Sequence, residues 1–317
     1  MSIALSPTQV GAPIFPNILP TGMLQPGVLF NFSTMQSDMQ NAYSRQGSLE
    51  IEQQMGRNAT VSVGFQHVSG LHLIVTQNQN VPACAAVGAN NACRPNPAFA
   101  NNSQYRALGD SNYNGLHVSL SQRASRLGSF RISYTYSKSL NNVGEFFFSQ
   151  PIDHYNIWQD YGRSDDDQRH RFVFDGNIHS SQARPKNAVG WLTHGFTLSA
   201  MLQYYSALPL NITTGTNTVQ GTVARPIING AFISRNAGVG FDFFNVNIRV
   251  SRAIQLDERW RIEALAEAFN VLNRTNGLTK NGVFGGGTYP STPSSTFGQT
   301  TAVQDARNLQ LALRIAF

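Results

Sequence analysis

Charge is scarce in this chain. Only 13% of its 317 residues are Asp, Glu, Lys or Arg, about half the share usual in a soluble globular domain. Long apolar runs are missing as well. No stretch reaches the roughly 18 apolar residues that a transmembrane helix needs, which excludes helical spans. It leaves strands open, because a strand crosses a membrane in about 9–11 residues of alternating polarity. Cysteines number two, too few and wrongly spaced for a zinc module. The 23 Lys and Arg exceed the 17 Asp and Glu, giving a net charge of +6, yet they are scattered, with no basic run and no stacking motif. That argues against nucleic acid as a partner. The opening residues, Met1 to Pro7, lack the basic and apolar regions of a secretory leader. An exported protein needs such a leader, so for an exported chain a late start or a fragment is expected.

What remains is polar without being charged. Hydrophobic residues make up 41% of the chain and the mean hydropathy is -0.23, the balance being Asn, Gln, Ser, Thr and Gly. The ordering signal is alternation with period two. It is clearest at the end, where Leu309, Leu311, Leu313, Ile315 and Phe317 alternate with Gln310, Ala312, Arg314 and Ala316. Phe130, Ile132, Tyr134 and Tyr136 alternate with Arg131, Ser133, Thr135 and Ser137. Comparable runs start near Leu49, Val61, Leu116, Phe172, Phe196, Phe244 and Trp260. These make about nine strands, each longer than is usual in a globular domain.

The connections discriminate further. Short turns are expected near 56–58, 126–128, 185–187 and 256–258, and long polar loops over roughly 70–111, 144–166, 214–241 and 276–305. Short links at one end and long ones at the other fit a membrane barrel better than a Greek-key sandwich. The expected fold is therefore all-β, an antiparallel transmembrane β-barrel with short periplasmic turns and long extracellular loops. It is a partial barrel, because nine strands do not make the even number of a bacterial one. Residues 1–42, with four prolines after position 12, read as an irregular extracellular loop remnant, and 43–317 as the C-terminal part of the barrel.

Several residue groups invite chemistry. Arg131, Arg249, Arg261, Glu263 and Glu267 fall on the polar phase and are expected to face a lumen. Paired carboxylates there can do acid–base work, but a salt-bridge ladder is the simpler reading. Tyr134, Tyr136, Tyr204, Tyr205, Trp191 and Trp260 lie near expected strand ends, where a girdle at the lipid boundary competes with plain cross-strand packing. Cys84 and Cys93 share one loop and are a disulfide candidate in an oxidising compartment. Asp165, Asp166, Asp167 and His170 suggest Ca²⁺, but without EF-hand spacing; carboxylates neutralised by Arg169 and Arg171 are the plainer alternative. The glycine run in 283–290 lacks the Lys-Ser/Thr of a P-loop. With no nucleophile–base arrangement in the sequence, a non-enzymatic protein without cofactor or metal is expected.

Five segments also resemble the Oar-like TonB-dependent receptors: SRQGSLEIEQQMGRNATVSVGFQHVSGLHL (44–73), NYNGLHVSLSQRASRLGSFRISYTYSKSLNN (112–142), SDDDQRHRFVFDGNI (164–178), FFNVNIRVSRAIQLDERWRIEALAEAFNVLNRTN (243–276) and DARNLQLALRIAF (305–317). They occur in the family's order. The resemblance implies outer-membrane localisation and a barrel of about 22 strands with a plugged lumen. It implies contact with outer-membrane lipid, uptake of an extracellular ligand such as an oligosaccharide or peptide, and TonB acting through N-terminal parts. The ending with Leu309, Leu311, Leu313, Ile315 and Phe317 resembles the insertion signal read by the barrel-assembly machinery. Two other readings stay open: a truncated, non-transporting surface barrel, and a secreted β-sandwich binding module.

Overall fold

The alternating segments join into one large sheet. The computed structural model describes residues 29, 31–83, 93–123, 128–144, 150–183, 187–257 and 259–316. Nine strands follow one another across the sheet within these residues: β1 (Tyr43–Met55), β2 (Ala59–Asn78), β3 (Asn102–Gln122), β4 (Gly128–Asn141), β5 (His170–His179), β6 (Phe196–Tyr205), β7 (Phe243–Gln255), β8 (Arg261–Phe269) and β9 (Asn308–Ala316). Each pairs antiparallel with the next. Two short strands join from the side. Gly162–Arg163 pairs with the end of β4, and Phe32–Met35 runs parallel to the first residues of β3. The leading segment is therefore not irregular throughout; residues 1–28 lie outside the described residues.

Cross-strand register turns the sequence alternation into two faces. One row reads Ile51, Val63, Val118, Tyr134, Phe172, Tyr204, Phe244; the adjacent row reads Glu52, Ser62, Ser119, Ser133, Val173, Gln203, Asn245. A one-residue slip would exchange the faces, so the apolar pattern itself holds the register. The apolar face lies open at β9, the last strand of the sheet. Leu309, Leu313 and Ile315 are exposed and Leu311 is 85% exposed, although burying such a side chain is worth about 1.5–3 kcal/mol. Lipid in place of a second protein layer supplies that burial.

At one end of the sheet the links are compact. Gly56 takes φ +64° in the β1–β2 turn, a left-handed conformation that glycine adopts without steric cost. Residues 126–127 and 185–186 of the turns expected at 126–128 and 185–187 lie outside the described residues, but the link from β5 to β6, residues 180–195, is longer than a tight turn. It holds a one-turn helix, Ala188–Thr193, whose first turn is capped by Asn187 Oδ1 accepting from Gly190 N at 2.7 Å. Gly195 then re-enters the sheet at φ +82°, where a Cβ would lie 2.1 Å from the Ala253 carbonyl oxygen. At the other end the connections are long, from 78 to 102, 141 to 170, 205 to 243 and 269 to 308, with 84–92 and 145–149 outside the described residues. The first is shorter than the 70–111 expected, because β2 and β3 continue past a register shift between Gly70 and Ile74. There His72 adopts φ +57°, and the break in alternation hid the strands beyond it.

These long segments carry the packed interior. Val75, Val81, Ile152, Ile157, Ile212 and Phe284 are buried at or above the strand ends, alongside a larger set of buried polar residues.

Candidate functional site

The polar face of the wall gathers the charged residues that the alternation singled out. Arg131 stands opposite Asp175 and Ser121. Arg249 Nη1 lies 3.6 Å from Glu267 Oε1. Arg261 faces Gln255 and Ala316, and Glu263 faces Ala253 and Arg314. All five predicted residues share one face, but the expected ladder is a single ion pair here, and neither Arg261 nor Glu263 forms one among the described residues. A cavity of about 730 Å³ runs along this face, lined by Arg131, Asp175, Asn177, Asn247, Arg249 and Glu267.

The aromatic residues divide between the faces. Tyr134, Tyr136 and Tyr204 lie on the apolar face by register. The Tyr134 hydroxyl and His170 Nδ1 share a 2.8 Å hydrogen bond, so the ring stays among apolar neighbours while its polar tip is satisfied. Tyr205 is on the opposite face, under the Arg171 guanidinium at 4.8 Å and accepting from Gln203 Nε2. Trp191 sits in the one-turn helix and not on a strand. Trp260, at the compact end, is exposed; its backbone N–H donates to Asp257 Oδ1 at 2.7 Å.

Above the wall, the long segments are held by buried amides. Asn78 Oδ1 accepts from the backbone of Asn80 and Asn102. Asn80 Nδ2 donates to the carbonyls of Asn96, Phe99 and Ala100. Asn276 pairs both ways with the Phe244 backbone, and Asn270 Nδ2 donates to the Arg274 and Asp305 carbonyls. An amide offers both donor and acceptor, so each Asn closes a loop foot without a strand ladder. Sequence reasoning missed this set. The available signal was Asn recurring where alternation stops.

Charge is embedded in the same layer. Asp167 is fully buried, receiving Arg163 Nε at 2.7 Å, Arg169 Nη2 at 3.0 Å and the Ser139 N–H at 2.8 Å. Arg163 thus takes the neutralising place expected of Arg171. Asp165 Oδ1 accepts from Asn236 Nδ2. Asp160 and Arg225, both buried, pair at 2.5 Å, with Asp160 Oδ2 also accepting from Ile152 N. Arg235 donates to the carbonyls of Val143, Asn141 and Arg163, and desolvation lowers its pKa. His154 accepts at Nδ1 from Asn78 N, and burial pushes its pKa down to about 4. A second cavity of about 760 Å³ opens in this layer beside Thr214, Asn217, Gln220, Gly286 and Tyr289. Cys93 is disulfide-bonded, while Cys84 and the terminal Phe317 lie outside the described residues.

A long-stranded wall with one lipid-suited face and one polar face, topped by hydrogen-bonded loops, defines a membrane-spanning β-sheet protein. The chain belongs to the outer membrane beta barrel domain family, whose model matches residues 3–235 and 229–310, and it is an outer-membrane protein. Its fold is similar to that of the outer membrane transporter YddB from Escherichia coli, at TM-score 0.57 and 13% identity over 91% of this chain. The chain spans 34% of that transporter's length. A P. aeruginosa structure, FpvA bound to heterologous pyoverdines, matches 86% of this chain and 27% of its own at 10% identity and TM-score 0.48. No curated protein is similar to the chain in sequence at a significant level.

Proposed function

We propose that the chain is part of a TonB-dependent receptor barrel of the Oar-like kind, which binds an extracellular ligand in its loop layer and passes it along the polar face. The observation that carries this reading is the pairing of a lipid-suited wall with a loop layer that is itself packed and cavity-bearing. A barrel serving only as an anchor has no use for buried ion pairs and amide clamps above the membrane. Further strands close the barrel to an even number, and outer-membrane lipid surrounds it. The barrel-assembly machinery inserts it, reading the β9 edge, and TonB acts through segments of the whole receptor outside the wall. The chemistry is binding and passage, not catalysis. Loops rich in Asn, Thr and Gly suit an oligosaccharide or peptide held by hydrogen bonds.

Deleting the coding region in the source bacterium, and separately its TonB, tests this on a panel of oligosaccharides and peptides as sole nutrients. The two deletions are expected to lose growth on the same nutrient. A strain lacking this chain that grows on everything the TonB deletion cannot use would instead favour a surface barrel without transport.

A further inference from the structure

Most polar groups of the loop layer are paired; of the buried side-chain atoms that are not, among the described residues, three are donors grouped around one space. Asn142 Nδ2, Arg225 Nε and Arg235 Nε have no hydrogen-bond partner, and all three residues line one cavity of about 390 Å³. Asn142 is 3% exposed and Arg225 is 4% exposed, so water outside the cavity does not serve them. A buried donor left unpaired forfeits its hydration without return, which makes three around one space an argument for an occupant. The cavity is separate from the one at the polar wall and adjoins the one beside Tyr289, with which it shares Ile152 and Arg225; it reaches the surface at Val223, which lines it and is exposed.

We propose that this cavity binds a neutral sugar unit of an extracellular saccharide. The unpaired groups are all donors, so the occupant must bring acceptor oxygens. The charged side chains that line the cavity balance, Arg225 and Arg235 against Asp160 and Asp165, and a net anion or cation would upset that balance. A hydroxyl suits both conditions, because it accepts from a guanidinium or amide N–H and donates to a carboxylate lone pair. Asp160 and Asp165 each accept hydrogen bonds already, yet a carboxylate has about four lone-pair sites and retains room for a hydroxyl proton. Val75 and Ile152 give the cavity an apolar side against which a sugar ring's C–H face can rest. The volume is about a dozen times one water's share of the liquid, well beyond what a single bridging water fills.

This deepens the receptor reading by naming a ligand class, and its test is separate, because a purified receptor can bind without transporting. The whole receptor that contains this chain, purified in detergent, is titrated calorimetrically with neutral trisaccharides of glucose, mannose and xylose, and in parallel with triglycine and sodium gluconate. Saturable binding of at least one trisaccharide, with none of triglycine or gluconate, is expected. Asn142→Asp keeps the oxygen that accepts from Asp110 N at 2.7 Å and replaces the unpaired donor with an acceptor. It is expected to weaken the saccharide at least tenfold while leaving the folded receptor's heat-shifted gel migration intact. Binding of triglycine or gluconate in place of the saccharides would overturn the assignment. So would saccharide binding unchanged by Asn142→Asp, or no binding at all, which would leave the three donors to ordered water. Failure here leaves the growth test of TonB-dependent uptake standing.

Discussion

His154 is 2% exposed, with Asn78 N donating to its Nδ1 at 3.1 Å. Its pKa falls from 6.5 to about 4 through burial, which outweighs the attraction of Asp153 and Asp160. Between those two values the unfolded segment binds a proton that the folded loop refuses. The contribution of this group to loop stability is therefore full above about pH 6.5 and declines as pH falls towards 4, by about 3 kcal/mol in all. Hydrogen exchange at the Asn78 amide checks this: protection should fall across that window, and protection constant from pH 7 to 4 would contradict it. The Asp160–Arg225 pair belongs to the same scale. Arg225→Ala leaves a buried carboxylate uncompensated and should destabilise the loop layer by about 3–5 kcal/mol, read as protease nicking within 150–169. Arg249→Ala, which removes a half-exposed partner of Glu267, should change stability by less than about 1 kcal/mol. Little of this was legible in the sequence. Which loop residues converge depends on how four long segments fold over one another. Asp167 was visible as one of three consecutive acids, but not as the one that would be buried.

The strands were the most legible elements, because a wall with lipid on one side and water on the other imposes strict alternation on every residue of it. Phe130 to Tyr136 and Leu309 to Ile315 show this without interference. Legibility failed where that constraint lapses. Past Gly70 the β2–β3 ribbon continues through mixed residues such as Asn78 and Asn102, which answer to the loop layer and not to the membrane. Pro185-Lys186-Asn187 has the chemistry of a tight turn, whereas Asn187 serves as the cap of the short helix that follows it. The two-faced wall predicts an asymmetry between neighbours in β9. Leu311→Arg places a charge on the apolar face and should cost about 2–4 kcal/mol near the bilayer midplane, whereas Gln310→Arg, across from Glu267, should cost much less. Denaturant unfolding from phospholipid vesicles compares the two, and equal costs would show that β9 does not face lipid.

At the scale of the whole molecule, the apolar residues of the wall do not form an interior. They form an exterior whose solvent is lipid, while the packed interior lies in the loops. The sequence showed this division through low charge, period two and alternating link lengths. It could not show the cavities, which arise from convergence of segments far apart in the chain. The central claim is that successive wall residues alternate between lipid and water. Single cysteines placed in turn at Val118, Ser119, Ser133 and Tyr134, in a background with Cys84 and Cys93 replaced by serine, test it in outer-membrane preparations. Fluorophores at 118 and 134 should be quenched by nitroxide-labelled lipid, and those at 119 and 133 by an aqueous quencher. Four positions equally open to the aqueous quencher, with none reached from lipid, would contradict the account.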